Sequence, residues 1–203
     1  QECIDELAAA LGIKPQVAEI TDRAMRGELD FRQALETRVA LLAGLERKVI
    51  EEIRRERITL APGGRALVHT MKAFGAHTVL ISGGFTLFAE YFAKRIGFDT
   101  YTANVLEFDV EDRLTGRVLE PIVDKTTKLS RLVTEARERD IPMARTMAIG
   151  DGANDLDMIL AAGLGVAVHA KPVVAEQAAV QIDHSDLTAL LYLQGYTDED
   201  IVR

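Results

Sequence analysis

Apolar positions recur every three or four residues from the start of the chain to about residue 58, a spacing that predicts helices. Ile4, Leu7, Ala8 and Leu11 share one face of a first segment, which Gly12 closes. Pro15 stands where a second helix can start, and Val17, Ile20, Ala24 and Met25 carry its stripe up to Gly27. Asp30 can cap a third helix bearing Phe31, Leu35, Val39 and Leu42, ended by Ala43-Gly44. Glu46 to Arg57 reads as a charged amphipathic helix with Val49, Ile50 and Ile53 turned inward. No strand pattern interrupts these residues, so 1–58 is predicted to form a small helical bundle.

The pattern changes at Pro62-Gly63-Gly64, where short apolar runs begin to alternate with helical periods, the mark of βα units and a parallel sheet. Buried core strands are predicted at Thr78–Ile81, Thr146–Ile149, Gly165–Val168 and Val180–Ile182, with helices near 63–74, 86–96, 126–139, 155–162 and 173–178. Ala103–Val110 and Arg117–Pro121 flank Asp112-Arg113-Leu114-Thr115-Gly116 and read as a hairpin, over about 103–121, inserted at the sheet. The predicted fold class is α/β: a Rossmann-like parallel sheet over 59–203 beneath a helical-bundle cap over 1–58.

Composition narrows the function. Hydrophobic residues make up 48% and charged residues 28% of the 203, ordinary globular usage that excludes disordered, collagenous and coiled-coil chains. Lys plus Arg number 24 against 32 Asp plus Glu, a net charge of −8, so a concentrated cationic face for nucleic acid or an anionic membrane is not expected. No stretch approaches the run of about 18 apolar residues that spans a bilayer. The single cysteine, Cys3, excludes an internal disulfide and a cysteine zinc cage, in keeping with a reducing cytoplasm. The first residue is Gln, not Met, and the acidic start Gln1-Glu2-Cys3-Ile4-Asp5-Glu6 has no signal-peptide character; the chain is expected to begin within a longer protein.

Three segments could carry chemistry. In Ala148-Ile149-Gly150-Asp151-Gly152-Ala153-Asn154-Asp155 a hydrophobic strand ends at Gly150, two acids follow four residues apart, and a helix starts near Asp155. Ligand sites in open α/β sheets lie off the carboxyl ends of strands. Paired carboxylates there call for a proton or cation between them, and hard oxygen donors favour Mg²⁺. A plain βα turn with an Asn or Asp cap would use similar residues. In Val79-Leu80-Ile81-Ser82-Gly83-Gly84-Phe85 a buried strand runs into a loop whose glycines let backbone N–H groups approach an anion, with Ser82 adding a hydroxyl; a tight strand-to-helix turn is the structural alternative. In Asp124-Lys125-Thr126-Thr127-Lys128 a lysine in the first turn of a helix opposes the helix dipole, which an anionic partner would explain. Spacing does not decide between Lys125 and Lys128.

In this order the three motifs resemble those of the phosphoserine phosphatase family within the haloacid dehalogenase-like phosphatases, and the resemblance runs over essentially the whole chain, including Ala170-Lys171-Pro172. It implies an Mg²⁺-dependent phosphatase that hydrolyses O-phospho-L-serine to L-serine and phosphate through an aspartyl-phosphate, in serine biosynthesis. It implies that Ser82, Gly83 and Lys128 hold the phosphoryl group, that Asp151 is a metal ligand, that Asn154 contacts substrate and that Asp155 supports the metal site. In the helical region, Glu2 matches the acid facing the substrate amino group, Arg38 the arginine that clamps its carboxylate, and Met25 and Phe31 the apolar residues that close over it. One anion and one cation suit a zwitterion, and Arg binds carboxylate bidentately. A small-molecule substrate is implied, no nucleic-acid or membrane partner, and a homodimer is compatible with the family.

One departure is large. The family carries Asp-x-Asp at the end of its first core strand, supplying nucleophile and general acid, just before the segment that Gln1-Glu2 matches. Asp-x-Asp occurs here only as Asp155-Leu156-Asp157 in the metal motif and Asp198-Glu199-Asp200 in the tail. The expectation is a chain that lacks the first core strand and is inactive without an upstream Asp-x-Asp. The rivals are a phosphatase of the same fold for another small phosphorylated metabolite, the cytoplasmic part of a cation-pumping ATPase, which has a related motif, and a non-catalytic phosphoserine-binding module. His69, His77, His169 and His184 are scattered, Cys3 reads as a half-buried apolar residue, and Tyr196-Thr197-Asp198-Glu199-Asp200 as a solvated acidic end.

Overall fold

The computed structural model of the chain describes residues 3–25 and 28–202. Glu2 and the Met25 side chain, both implicated above, lie outside the described residues. The chain divides into two compact units, Gln1–Leu60 with Thr78–Ile122, and Ala61–His77 with Val123–Arg203.

The first unit opens with four helices at the predicted places: α1 (Cys3–Ala10), α2 (Lys14–Met25), α3 (Phe31–Ala40) and α4 (Arg47–Glu56). Asp30 caps α3 through a reciprocal capping box. Its Oδ1 accepts from the Gln33 amide at 2.8 Å, and the Gln33 side chain accepts from the Asp30 amide at 3.2 Å. The helices share their core with a sheet rather than forming one of their own. Ile4, Leu7, Leu35, Val39 and Ile50 lie in one apolar cluster with Phe85, Phe88, Leu106 and Leu114. Hydrogen bonds close this junction, from the Gly44 amide to the Leu114 carbonyl at 2.7 Å and from the Leu114 amide to the Leu45 carbonyl at 2.9 Å. Gly116, at φ +84°, lets the hairpin press on α3: a Cβ there would stand 3.1 Å from Ala43 Cβ and 3.2 Å from the Ala40 backbone.

The sheet of this unit is β1 (Val79–Phe85), β2 (Thr100–Phe108) and β3 (Leu114–Leu119), with helix α6 (Thr86–Ile96) joining β1 to β2. The predicted inserted hairpin is only half of β2's role. β2 pairs in parallel with β1 through Thr100–Asn104 and antiparallel with β3 through Val105–Phe108. Two further corrections concern β1. It continues through Ser82-Gly83-Gly84 to Phe85, so the predicted loop is strand, and Val79–Gly84 are half-buried rather than buried. Among the described strands β1 pairs with β2 alone, and a strand covered on one edge only keeps part of its surface.

The second unit holds α5 (Gly64–Ala73), α7 (Lys125–Glu138), α8 (Leu156–Ala161), α9 (Pro172–Ala175) and α10 (Ala189–Leu193) around a parallel sheet in the order β4 (Met147–Gly150), β5 (Leu164–Val168), β6 (Val180–Ile182). β5, flanked on both sides, buries Gly165, Val166 and Ala167, whereas β4 buries Ala148 alone. α10, which the pattern did not predict, is seated by fully buried Leu190 and Leu191. The acidic tail is solvated at Thr197, Asp198 and Glu199, as expected, but it is anchored on either side: Tyr196 and Ile201 pack on the unit's core, the Tyr196 ring lies 4.8 Å from that of Phe74, and the Val202 amide donates to Thr70 Oγ1 at 2.9 Å. Its charges mask this from a reading of polarity, because Asp200 turns back to accept from the Thr197 amide at 2.7 Å. No helix among the described residues is long and apolar enough to cross a membrane.

Candidate active site

The Gly150–Asp155 loop leaves the carboxyl end of β4 and enters α8 through a single 3₁₀ turn, Ala153–Asp155. Its organiser is Asp155, only 6% exposed. One carboxylate oxygen, Oδ2, accepts from the amides of Asp151 (3.3 Å) and Gly152 (3.2 Å), and the other, Oδ1, accepts from Lys128 Nζ at 2.5 Å. The glycines of the motif are matters of space. A Cβ on Gly150 would stand 2.5 Å from Asp155 Cγ and 2.7 Å from its Oδ2, and one on Gly152 would stand 2.6 Å from Asn154 Oδ1. The loop is braced from outside by the Lys171 amide, which donates to the Asp151 carbonyl at 3.0 Å. Asp151 itself is exposed and Asn154 half-buried.

Burial distinguishes the two lysines. Lys128 is 4% exposed and its ammonium meets Asp155, while Lys125 is open to solvent and stands 3.8 Å from Asp157. A buried ammonium in the first turn of α7 would be costly alone, and the Asp155 carboxylate is the anionic partner that accounts for it. Asp124 caps the same turn by accepting from the Thr127 amide at 2.8 Å, and that bond holds its carboxyl below the ordinary 3.8. Asp124→Ala should therefore cost about 1 kcal/mol in urea unfolding. Because the folded value is depressed, the cap's contribution is complete above about pH 4 and fades as pH falls through the folded value. A stability gap between wild type and Asp124→Ala that stays constant down to pH 2 would refute it.

In the first unit, Ser82 and Gly83 sit at the carboxyl end of β1, just before α6. Ser82 Oγ accepts from the Gly84 amide at 3.0 Å, which leaves the hydroxyl proton available to an outside acceptor. The Gly83 carbonyl is held by Asn104 Nδ2 at 2.8 Å. Arg38, half-buried on α3, donates from Nε to the Ala34 carbonyl (3.2 Å) and from a terminal nitrogen to Thr21 Oγ1 (3.4 Å). Phe31, at the start of α3, is 37% exposed and so is not part of the bundle core. Lys128, Asp151, Asn154 and Asp155 thus gather around one loop of the second unit, and Ser82, Gly83, Arg38 and Phe31 belong to the first.

Among the described residues no group of three His, Cys, Asp or Glu side chains converges as a metal cage. Asp155 is buried and already serves Lys128 and two amides, which leaves Asp151 as the motif's exposed carboxylate. That fits Mg²⁺, which protein sites hold through one or two carboxylates with water and phosphate oxygens completing the shell. Asn104, fully buried, and Asp124 were not anticipated; an Asn inside the apolar run Ala103-Asn104-Val105-Leu106 was the available signal.

Residues 2–160 match the haloacid dehalogenase-like hydrolase family. A phosphoserine phosphatase of Streptomyces coelicolor is 48% identical over 98% of this chain, which covers 48% of that protein, so residues 1–203 span about half its length. The phosphoserine phosphatase of Streptococcus thermophilus is 46% identical over 92% of this chain and 86% of its own length. A solved substrate-bound phosphoserine phosphatase complex superposes with a TM-score of 0.87 at 35% identity, over 95% of this chain and 91% of the other. With its Gly-Asp-Gly-x-Asn-Asp loop, buried lysine and Ser-Gly-Gly strand end, the chain belongs to the haloacid dehalogenase-like hydrolases and, within them, to the phosphoserine phosphatase family.

Proposed function

We propose that the protein containing these residues hydrolyses O-phospho-L-serine to L-serine and phosphate with Mg²⁺ as cofactor. The observation that carries this reading is the buried Lys128–Asp155 pair beneath exposed Asp151, in a chain whose matched relatives are phosphoserine phosphatases by name. One enclosed cation and one open carboxylate are what a phosphoryl group and a divalent cation require. Lys128 neutralises phosphoryl charge from a position that Asp155 holds rigid, and Ser82 donates its hydroxyl proton to a phosphoryl oxygen with Gly83 beside it. Asp151 holds Mg²⁺, which when bound adds charge stabilisation at the phosphoryl oxygens. Asn154 contacts the substrate.

Substrate choice belongs to the helices over 1–58, acting as a cap on the α/β core of 59–203. Arg38 pairs with the serine carboxylate, Glu2 with its ammonium, and Met25 and Phe31 exclude water. The nucleophile is an aspartate upstream of Glu2: its carboxylate oxygen bonds to phosphorus as the bond to the serine oxygen breaks, the second acid of Asp-x-Asp protonates the departing alkoxide, and water then releases phosphate. The same reading has the enzyme working in the cytoplasm, in serine biosynthesis, on a small molecule, with a homodimer allowed.

The test is substrate discrimination in the full-length protein. Arg38→Ala should lower kcat/KM for phosphoserine about 10²-fold or more, the loss expected of a carboxylate deprived of its charged partner. Phosphoethanolamine, which has no carboxylate, should change by only a few-fold. Equal losses on the two esters would reduce Arg38 to a support for α3 and remove the basis for a phosphoserine substrate.

A further inference from the structure

The β1–β2 register is broken where Ser82 lies. Val79, Leu80 and Ile81 pair one-to-one with Thr100, Tyr101 and Thr102, but the next pair is Phe85 with Asn104. β1 advances four residues while β2 advances two, so Ser82-Gly83-Gly84 bulges from the ladder. Its middle peptide unit consists of the Gly83 carbonyl and the Gly84 amide. That one peptide is gripped at both ends: the carbonyl accepts from Asn104 Nδ2 at 2.8 Å, and the amide donates to Ser82 Oγ at 3.0 Å. A carbonyl can only accept, so the chemistry assigns the donating nitrogen of Asn104 to this contact.

A peptide between two glycines has little steric resistance to turning over. If it turned, the Gly84 amide would leave Ser82 Oγ and the Gly83 carbonyl would point its negative end elsewhere. The first change frees the serine rotamer; the second removes the alignment of the turn. Asn104 is fully buried, and a buried amide is expensive unless its hydrogen bonds are made, so its grip on Gly83 is strongly favoured over letting go. The linkage runs from Asn104 through the Gly83–Gly84 peptide to the Ser82 hydroxyl.

We propose that Asn104 is a positioning residue, which fixes the Gly83–Gly84 peptide so that Ser82 presents its hydroxyl proton to a phosphoryl oxygen. This rests on the reading of Ser82 as part of the anion site. The experiment is a double-mutant cycle in the full-length protein, with orthophosphate affinity by calorimetry as the readout and kcat/KM for phosphoserine alongside. Asn104→Ala should weaken orthophosphate about tenfold, as expected for one well-made hydrogen bond lost at the site. Leu106→Ala, a buried core change two residues along the same strand, should lower Tm yet move phosphate affinity less than about twofold. On a Ser82→Ala background, Asn104→Ala should add almost nothing, because its effect passes through the serine. If Asn104→Ala does not fold, Asn104→Ser, whose hydroxyl falls short of the Gly83 carbonyl, enters the same cycle. Losses that simply multiply in the double variant, or an Asn104 effect no larger than that of Leu106→Ala, overturn the role of Asn104. Phosphate affinity unmoved by Ser82→Ala would instead overturn the anion-site reading itself.

Discussion

A polypeptide of residues 1–203 alone should release no phosphate from O-phospho-L-serine, whereas a form in which an Asp-x-Asp strand precedes Glu2 should turn over, with Mg²⁺ restoring activity after chelation. The difference should be at least about 10⁴-fold, since without the nucleophile only binding and charge stabilisation remain. The carboxylates that might substitute are committed elsewhere. Asp155 spends both oxygens on Lys128 and two backbone amides, and Asp157 faces Lys125. In the hairpin, Asp109 accepts from the Glu111 and Arg113 amides and Asp112 pairs with Arg47. In the tail, Asp198 accepts from Tyr192 and Asp200 closes on Thr197. Each of these carboxylates already has a partner, although Asp109, Asp112 and Asp198 stay exposed to solvent. Phosphate release assayed on both polypeptides decides the matter: comparable rates would mean that the nucleophile lies within the 203 residues after all.

Lys128→Met should destabilise the second unit strongly and should also suppress turnover. Removing one member of a buried ion pair leaves the other charged and unpaired, at about 3–5 kcal/mol. The loss here falls on Asp155, whose oxygens also carry the Asp151 and Gly152 amides, so the loop that presents Asp151 should loosen with it. Turnover of the full-length protein should drop about 10²–10³-fold, the usual effect of deleting one charge-stabilising donor. Adding Asp155→Asn removes the stranded charge while keeping an oxygen for the two amides. The double variant should therefore regain much of the lost stability, with a coupling energy of about 1–3 kcal/mol, and none of the lost turnover. Urea unfolding of the four proteins in the cycle measures the first, and phosphate release the second. Additive destabilisation would show that Lys128 and Asp155 do not depend on each other.

Pattern alone located most of the elements, because helical and strand periods are local properties of the chain. The four helices over 1–58 and α6 lie where apolar spacing predicted them, and Asp30 caps α3 as its residue type suggested. Pattern also singled out the Gly150–Asp155 loop itself, since two acids and two glycines at a strand end are constrained by contacts within six residues. A linear reading assigns the glycines to backbone geometry in a turn; the structure adds that Asp155 and Asn154 occupy the space a Cβ would need.

Other features depend on partners distant in sequence, and no local pattern encodes them. Lys125 and Lys128 are equivalent in a linear reading, and only the meeting of α7 with the Asp155 turn buries one and exposes the other. β1 reads as a buried apolar run, yet a strand's burial is set by how many neighbours flank it, and it has one among the described strands. The bonding of β2 to β1 on one half and β3 on the other, the packing of the tail on Phe74 and Thr70, and the Asn104 clamp on Gly83 arise in the same way. The sequence by itself determined the helical and strand periods and the chemistry-bearing loop whose residues carry the family resemblance, because these are short-range matters of residue type and spacing. Tertiary structure decided which lysine is enclosed, which strands are covered and which peptide is held, because a buried charge or amide takes its meaning from the group it meets.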